Sequence, residues 1–214
     1  MKKPLIAVTL GDPAGIGPEI VVKTVADPEV FEKANCIVIG DAGVTEQAVR
    51  IVGADLKINC VEDPADGDYS EGVLNLIDLN NIDMAGFEYG KVSAMCGRAA
   101  YEYIEKGIQL TMDGKADAIS TAPINKEAIR AAGVEFIGHT EIFAALTNTN
   151  DPLLMIGGCI IRAIFIVRLN QYARQHDPIT IGVITLGKAK SPNNGITFFV
   201  VCLKNSLRFI VVNV

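Results

Sequence analysis

What most constrains this chain is a rhythm: short runs of β-branched residues alternate with longer amphipathic stretches. Ile6–Leu10 reads as a strand and Pro18–Val25 as a helix. Cys36–Ile39 reads as the next strand and Val44–Val52 as the next helix. Such alternation predicts an α/β fold with a largely parallel sheet. The clearest helix is expected over Ser93–Met112, where Cys96, Ala99, Ala100, Tyr103, Ile104, Ile108 and Thr111 recur at intervals of three and four. Asp113-Gly114 should end it, because glycine takes the left-handed conformation a helix end favours. A strand over Ala116–Thr121 follows at once, and the Asp-, Gly- and Pro-rich segment Glu62–Gly72 reads as a surface loop.

Half of the 214 residues are apolar, enough for one large domain or two small ones with a sizeable core. The net charge of -6 and pI near 5.0 argue against a nucleic-acid binder, which needs a clustered basic surface, and favour a small-molecule partner. Five irregularly spaced cysteines (Cys36, Cys60, Cys96, Cys159, Cys202) suit neither a disulfide framework nor a CxxC metal site, so they are expected to be reduced core residues of a cytoplasmic protein. Asp12 cuts short the apolar run after Met1, which reads as a first strand and not a signal peptide. The apolar stretch Leu153–Val167 is interrupted by Arg162 and is shorter than the ~20 residues a membrane span requires.

The charge balance changes late in the chain. Residues 154–214 hold seven Lys+Arg and one acid, +6, against twelve Lys+Arg and 24 acids, -12, in residues 1–153. Two regions are therefore expected, an α/β region over 1–153 and a divergent basic tail over 154–214. The tail reads either as an abnormal C-terminus, such as a shifted reading frame, or as a basic module for an anionic partner. Its Ile, Val and Phe clusters suit strands.

Three motifs carry the candidate chemistry. Gly11-Asp12-Pro13-Ala14-Gly15-Ile16-Gly17-Pro18-Glu19 lies between a strand and a helix. Its glycines, Gly15 and Gly17 among them, allow close backbone approach, and a helix amino end suits an anion such as phosphate. Asp12 is the one acid inside the loop, open to capping the helix, binding substrate or holding a cofactor hydroxyl. The second motif, Ser120-Thr121-Ala122-Pro123-Ile124-Asn125-Lys126, sits at the carboxyl end of a strand, where open α/β sheets place ligands. Asn125 can donate and accept, and Lys126 offers a point charge or simply opens the next helix. The third, Gly138-His139-Thr140-Glu141, leads into an expected helix over Ile142–Leu146. No GxSxG, HExxH or zinc-spaced Cys/His set supports a hydrolase.

These stretches, in this order, resemble the signatures of the 4-hydroxythreonine-4-phosphate dehydrogenase family. The matching residues are Val8–Glu19, Ala118–Lys126 and Phe136–Glu141. The resemblance covers residues 1 to about 153, stops where the charge balance changes, and implies an isocitrate/isopropylmalate-dehydrogenase-like α/β fold with αβα layers and a homodimer. It implies NAD-dependent oxidation and decarboxylation of 4-phosphooxy-L-threonine in pyridoxal 5'-phosphate (vitamin B6) biosynthesis. A paralogous branch acting on 4-phospho-D-threonate or D-erythronate fits equally. His139 and Thr140 fall on the family's substrate-binding pair, and Asn125 and Lys126 in its active-site loop.

The family also implies a divalent metal (Zn, Mg or Co) held by three histidines beyond the third motif. Alignment sets Leu169 where the first histidine belongs, and leucine has no lone pair to give. His176 matches none of the family's histidine motifs, and the family chain is considerably longer. A truncated, non-catalytic member lacking the metal site is therefore the competing expectation.

Overall fold

The computed structural model describes residues 3–136, 138–149, 198–202 and 209–213. The strands are β1 (Leu5–Thr9), β2 (Asn35–Gly40), β3 (Lys57–Cys60), β4 (Val73–Asp78), β5 (Ala118–Thr121), β6 (Phe198–Cys202) and β7 (Phe209–Asn213). They form one sheet in the order β3-β4-β2-β1-β5-β7-β6, parallel throughout except for the β6–β7 pair. The mostly parallel α/β architecture is the expected one. β2 and β1 are buried over most of their length, which is why they read as continuous apolar runs without polar alternation.

The helices are α1 (Gly17–Val25), α2 (Pro28–Lys33), α3 (Ala42–Val52), α4 (Ala94–Met112), α5 (Lys126–Ala131) and α6 (His139–Leu146). Crossovers from β1 to β2 run one way along the sheet, and the α4 crossover from β4 to β5 runs back. Right-handed connections then put α1 and α3 on one face and α4 on the other. α4 is long because its buried residues Cys96, Ala99, Ala100, Tyr103, Ile104, Ile108 and Thr111 keep the 3.6-residue period. Each fully buried large side chain of this kind contributes about 1.5–3 kcal/mol. Asp113 caps it, and Gly114 turns the chain at φ +76°, as expected of the Asp-Gly pair. Gly97 lets α5 cross α4 closely, since a Cβ there would lie 2.0 Å from the Ala128 carbonyl oxygen.

Several expectations shift. Strand β5 begins at Ala118, two residues later than the composition suggested, because Ala116 still bonds back to Leu110 at the end of α4. β3 and the short α2 fall where the apolar signal is weak: β3 has an exposed-intermediate pattern, and α2 buries no residue. Instead α2 is set by its ends, Asp27 accepting the Glu29 N–H at 2.8 Å ahead of Pro28. The cysteine expectation needs correcting at Cys60, which is exposed on the edge strand β3, whereas Cys96 is buried and Cys36 half-buried; all three are free thiols. Among the described residues no helix is long and apolar enough to cross a membrane.

Candidate functional site

β1 and β5 are neighbours, with Thr9 and Thr121 as register partners at their carboxyl ends. Crossovers leave this point in opposite directions, so the first two motifs meet at the switch point of the sheet, where open α/β folds bind ligands. The two loops are latched by the Asp12 N–H, which donates to the Pro123 carbonyl at 2.9 Å.

The amino loop owes its shape to missing side chains. Gly11 has φ +74°, and a Cβ on it would lie 2.4 Å from the Pro123 carbonyl oxygen. A Cβ on Gly17 would lie 2.4 Å from the Leu10 carbonyl oxygen. Gly17 thus lets the start of α1 pack closely on Leu10. Gly15 would meet only Asp12, at 3.5 Å, and it lines the cleft. Asp12 does not cap α1, whose N-cap is Ile16 without a side-chain bond; its carboxylate instead accepts the Ala14 N–H at 3.0 Å, closing a tighter turn upstream. Asp12 is 6% exposed, and burial raises its carboxyl pKa against the opposing Ala14 bond.

Asn125 is the N-cap of α5, its Oδ1 accepting from the Glu127 and Ala128 N–H groups at 2.9 and 3.2 Å. That leaves its amide nitrogen as the group turned to other work. Lys126, exposed, opens the helix as expected. Asp12, Gly15, Ile16, Pro123, Ile124, Asn125, Lys126 and Glu127 together line an open cleft of about 510 Å³. A more enclosed cavity of about 240 Å³ lies at the amino edge, among Phe31, Cys36, Tyr69 and Val73. That is the wrong end of the sheet for catalysis, and Tyr69 there already donates to the Pro64 carbonyl.

The third motif forms the first turn of α6, with Gly138 as N-cap, and does not precede the helix as expected. His139 hydrogen-bonds the Ala122 backbone, and because Nε2 is buried without a partner, that bond is made through Nδ1. Burial, aided by the Lys126 charge and opposed by the Ala122 bond, pushes the His139 pKa down to about 4. The imidazole is therefore neutral at physiological pH, with its proton on Nδ1. Thr140 follows it in the same turn, half-buried. Asp12, Gly15, Asn125 and Lys126 thus line the cleft, and His139 is tied to Ala122 beside it. Leu169 and His176 lie outside the described residues. Ile16, Pro123 and Ile124, inside the motifs, and Glu127, next to the second, also line the cleft without having been singled out.

A family model for the pyridoxal phosphate biosynthetic protein PdxA matches residues 32–180. This chain belongs to the PdxA family. The family match runs past residue 153, into the basic region. A Fusobacterium nucleatum protein named "Putative D-threonate 4-phosphate dehydrogenase" is 49% identical over 175 residues, 82% of this chain and 53% of its own length. A Clostridium botulinum protein of the same name is 46% identical over 178 residues, 83% of this chain and 53% of its own. A crystal structure of a 4-hydroxythreonine-4-phosphate dehydrogenase from Burkholderia phymatum superposes with a TM-score of 0.69 at 41% identity, covering 73% of this chain and 48% of that one. The chain spans about half the length of the curated relatives it matches.

Among the described residues no group of three or more His, Cys, Asp and Glu is placed to hold a metal ion. The cleft is lined by the carboxylates of Asp12 and Glu127, with His139 tethered beside it, and these do not form a set that would hold a divalent cation.

Proposed function

We propose that this chain carries the substrate-gripping half of an NAD-dependent dehydrogenase acting on a phosphorylated four-carbon hydroxy acid. The observation that carries the reading is the convergence of Asp12, Asn125, Lys126 and the His139 turn on one cleft at the switch point of the sheet. In 4-phosphooxy-L-threonine, the substrate of vitamin B6 biosynthesis, the alcohol carbon would give up a hydride and the hydroxyl its proton. The resulting β-keto acid loses carbon dioxide, the electron pair of the broken bond passing to an enolate. NAD supplies the hydride acceptor when bound. A second reading, oxidation of D-threonate 4-phosphate, draws support from the names of the 46–49% identical relatives.

The chain's own residues have roles that follow from their chemistry. Lys126 supplies a cation for the phosphate or carboxylate, and the Asn125 amide a neutral donor beside it. His139, neutral and with Nδ1 committed to Ala122, has the lone pair of Nε2 left to accept from the substrate hydroxyl. Thr140 supplies a hydroxyl next to it. Asp12, in the wall, and Gly15, which leaves backbone open to the cleft, suit the cofactor side. In this reading a second copy of the chain completes a homodimer.

The test is calorimetric binding of 4-phosphooxy-L-threonine, D-threonate 4-phosphate and D-erythronate 4-phosphate to the purified chain, with NADH formation followed in parallel. One of the three should bind, and His139→Ala should weaken it about tenfold with the fold intact. Failure of all three to bind would end the proposal. Binding without NADH formation would identify a non-catalytic member that keeps the grip and not the redox step.

A further inference from the structure

Three buried side-chain atoms find no hydrogen-bond partner among the described residues: Thr9 Oγ1, Thr121 Oγ1 and His139 Nε2. Thr9 is 0% exposed and Thr121 1%. An unpaired buried hydroxyl or ring nitrogen costs stability, and three scattered examples would be three separate faults. The three residues are not scattered, because each is joined to Ala122. Thr121 precedes Ala122, the Ala122 N–H donates to the Thr9 carbonyl at 3.3 Å, and Ala122 is the backbone partner of the His139 ring.

The hydroxyls also share a face. A Cβ on Gly107 of α4 would come within 2.4 Å of Ile119 Cδ1 and 3.3 Å of Ile39 Cδ1, so those side chains point toward α4. Thr9 is the register partner of both Ile39 and Thr121, and Thr121 lies two residues beyond Ile119 on the same strand. Alternation along a strand then aims both threonine side chains at α4. Helix α6, which begins at His139, packs against α4 as well. Two hydroxyls, each able to donate and accept, and one acceptor nitrogen match the two to four partners that an internal water requires.

We propose that Thr9 and Thr121 are positioning residues: their hydroxyls hold an ordered water that donates to His139 Nε2, fixing the imidazole ready for a substrate hydroxyl to take the water's place. This rests on the reading of His139 as a substrate ligand, and it adds a support for that residue from the strand ends beneath. It also accounts for threonine at both positions, where valine would fill the same space without an unpaired oxygen.

Histidine-selective ¹⁵N NMR of the full chain tests the coupling directly, since only two histidines are present and His176→Gln assigns the signals. In the Thr9→Val/Thr121→Val variant the His139 Nε2 resonance should move, and affinity for D-threonate 4-phosphate should fall about tenfold. Thr9→Ser/Thr121→Ser should restore both. An unmoved His139 resonance overturns the proposal, whether or not affinity changes, because the hydroxyls then do not reach the ring. Should the double valine variant fail to fold, each single valine variant gives the same NMR reading. If the resonance moves but His139→Ala leaves binding intact, the support exists and the substrate assignment of His139 is what fails.

Discussion

The two sides of the cleft are built on opposite principles. The Gly11–Gly17 loop is held by close contacts between main chains, made where side chains are missing, and by backbone bonds from the Asp12 N–H to Pro123 and from the Gly90 N–H to Ala14. The β5–α5–α6 side is held by side chains: Asn125 capping α5 and His139 tethered to Ala122. Backbone-on-backbone packing leaves almost no slack, and Asp12, the loop's one acid, is buried on the Ala14 N–H, whereas a wall built from an amide and an imidazole can adjust to a ligand. A rigid lip facing an adjustable one suits a site that must keep its geometry and still admit a substrate.

The sharpest way to break this contrast is to add a methyl group to the rigid side. Gly11→Ala forces both a left-handed backbone and a 2.4 Å clash with the Pro123 oxygen, and should cost on the order of 4 kcal/mol in urea unfolding. Gly15→Ala, meeting Asp12 only at 3.5 Å, should cost less than about 1 kcal/mol. Equal costs would show that loop packing is not what these glycines serve.

The responsive side should reveal itself through pH. The folded pKa of His139 lies near 4 against an ordinary 6.5, so between those values the unfolded chain binds the extra proton. Stability is therefore fully present above pH 6.5 and is lost as pH falls toward 4, by roughly 3 kcal/mol for a shift of this size. Unfolding free energies at pH 7 and pH 4 should fall by that much more in the native chain than in His139→Gln. Parallel loss in the two proteins would mean that the ring is not held neutral by burial.

The smallest effect is expected at the α5 cap. Asn125→Ala should lower stability by about 1 kcal/mol, and Asn125→Asp should recover most of it, because either side-chain oxygen can accept from the first-turn N–H groups. If ligand affinity falls in Asn125→Asp while stability is kept, the amide nitrogen faces the substrate in addition to the cap.

Much of the fold was legible before any coordinates. β1 and β2 announce themselves as unbroken apolar runs and α3 and α4 by the period that one-sided burial imposes, and Gly114 marks the end of α4 by its conformational freedom. β3 and α2 were silent because an edge strand and a surface helix bury too little to leave such a period. All three motifs were legible as well, but their roles were less so. Of the roles open to Asp12, capping α1 is not the one observed, since its carboxylate closes the turn at Ala14, and Gly17 is needed where the chain packs on the Leu10 carbonyl.

Residue order alone therefore determined the alternation of strands and helices, the motifs, and the family to which the chain belongs, since each of these depends on neighbours a few positions apart. Tertiary structure decided which strands stand side by side, and with that the meeting of Asp12 with Pro123 and of His139 with Ala122. It also decided that the histidine is neutral. A pKa depends on burial and on charges brought close by folding, and the Ala122 and Lys126 neighbours of His139 stand more than ten positions away along the chain.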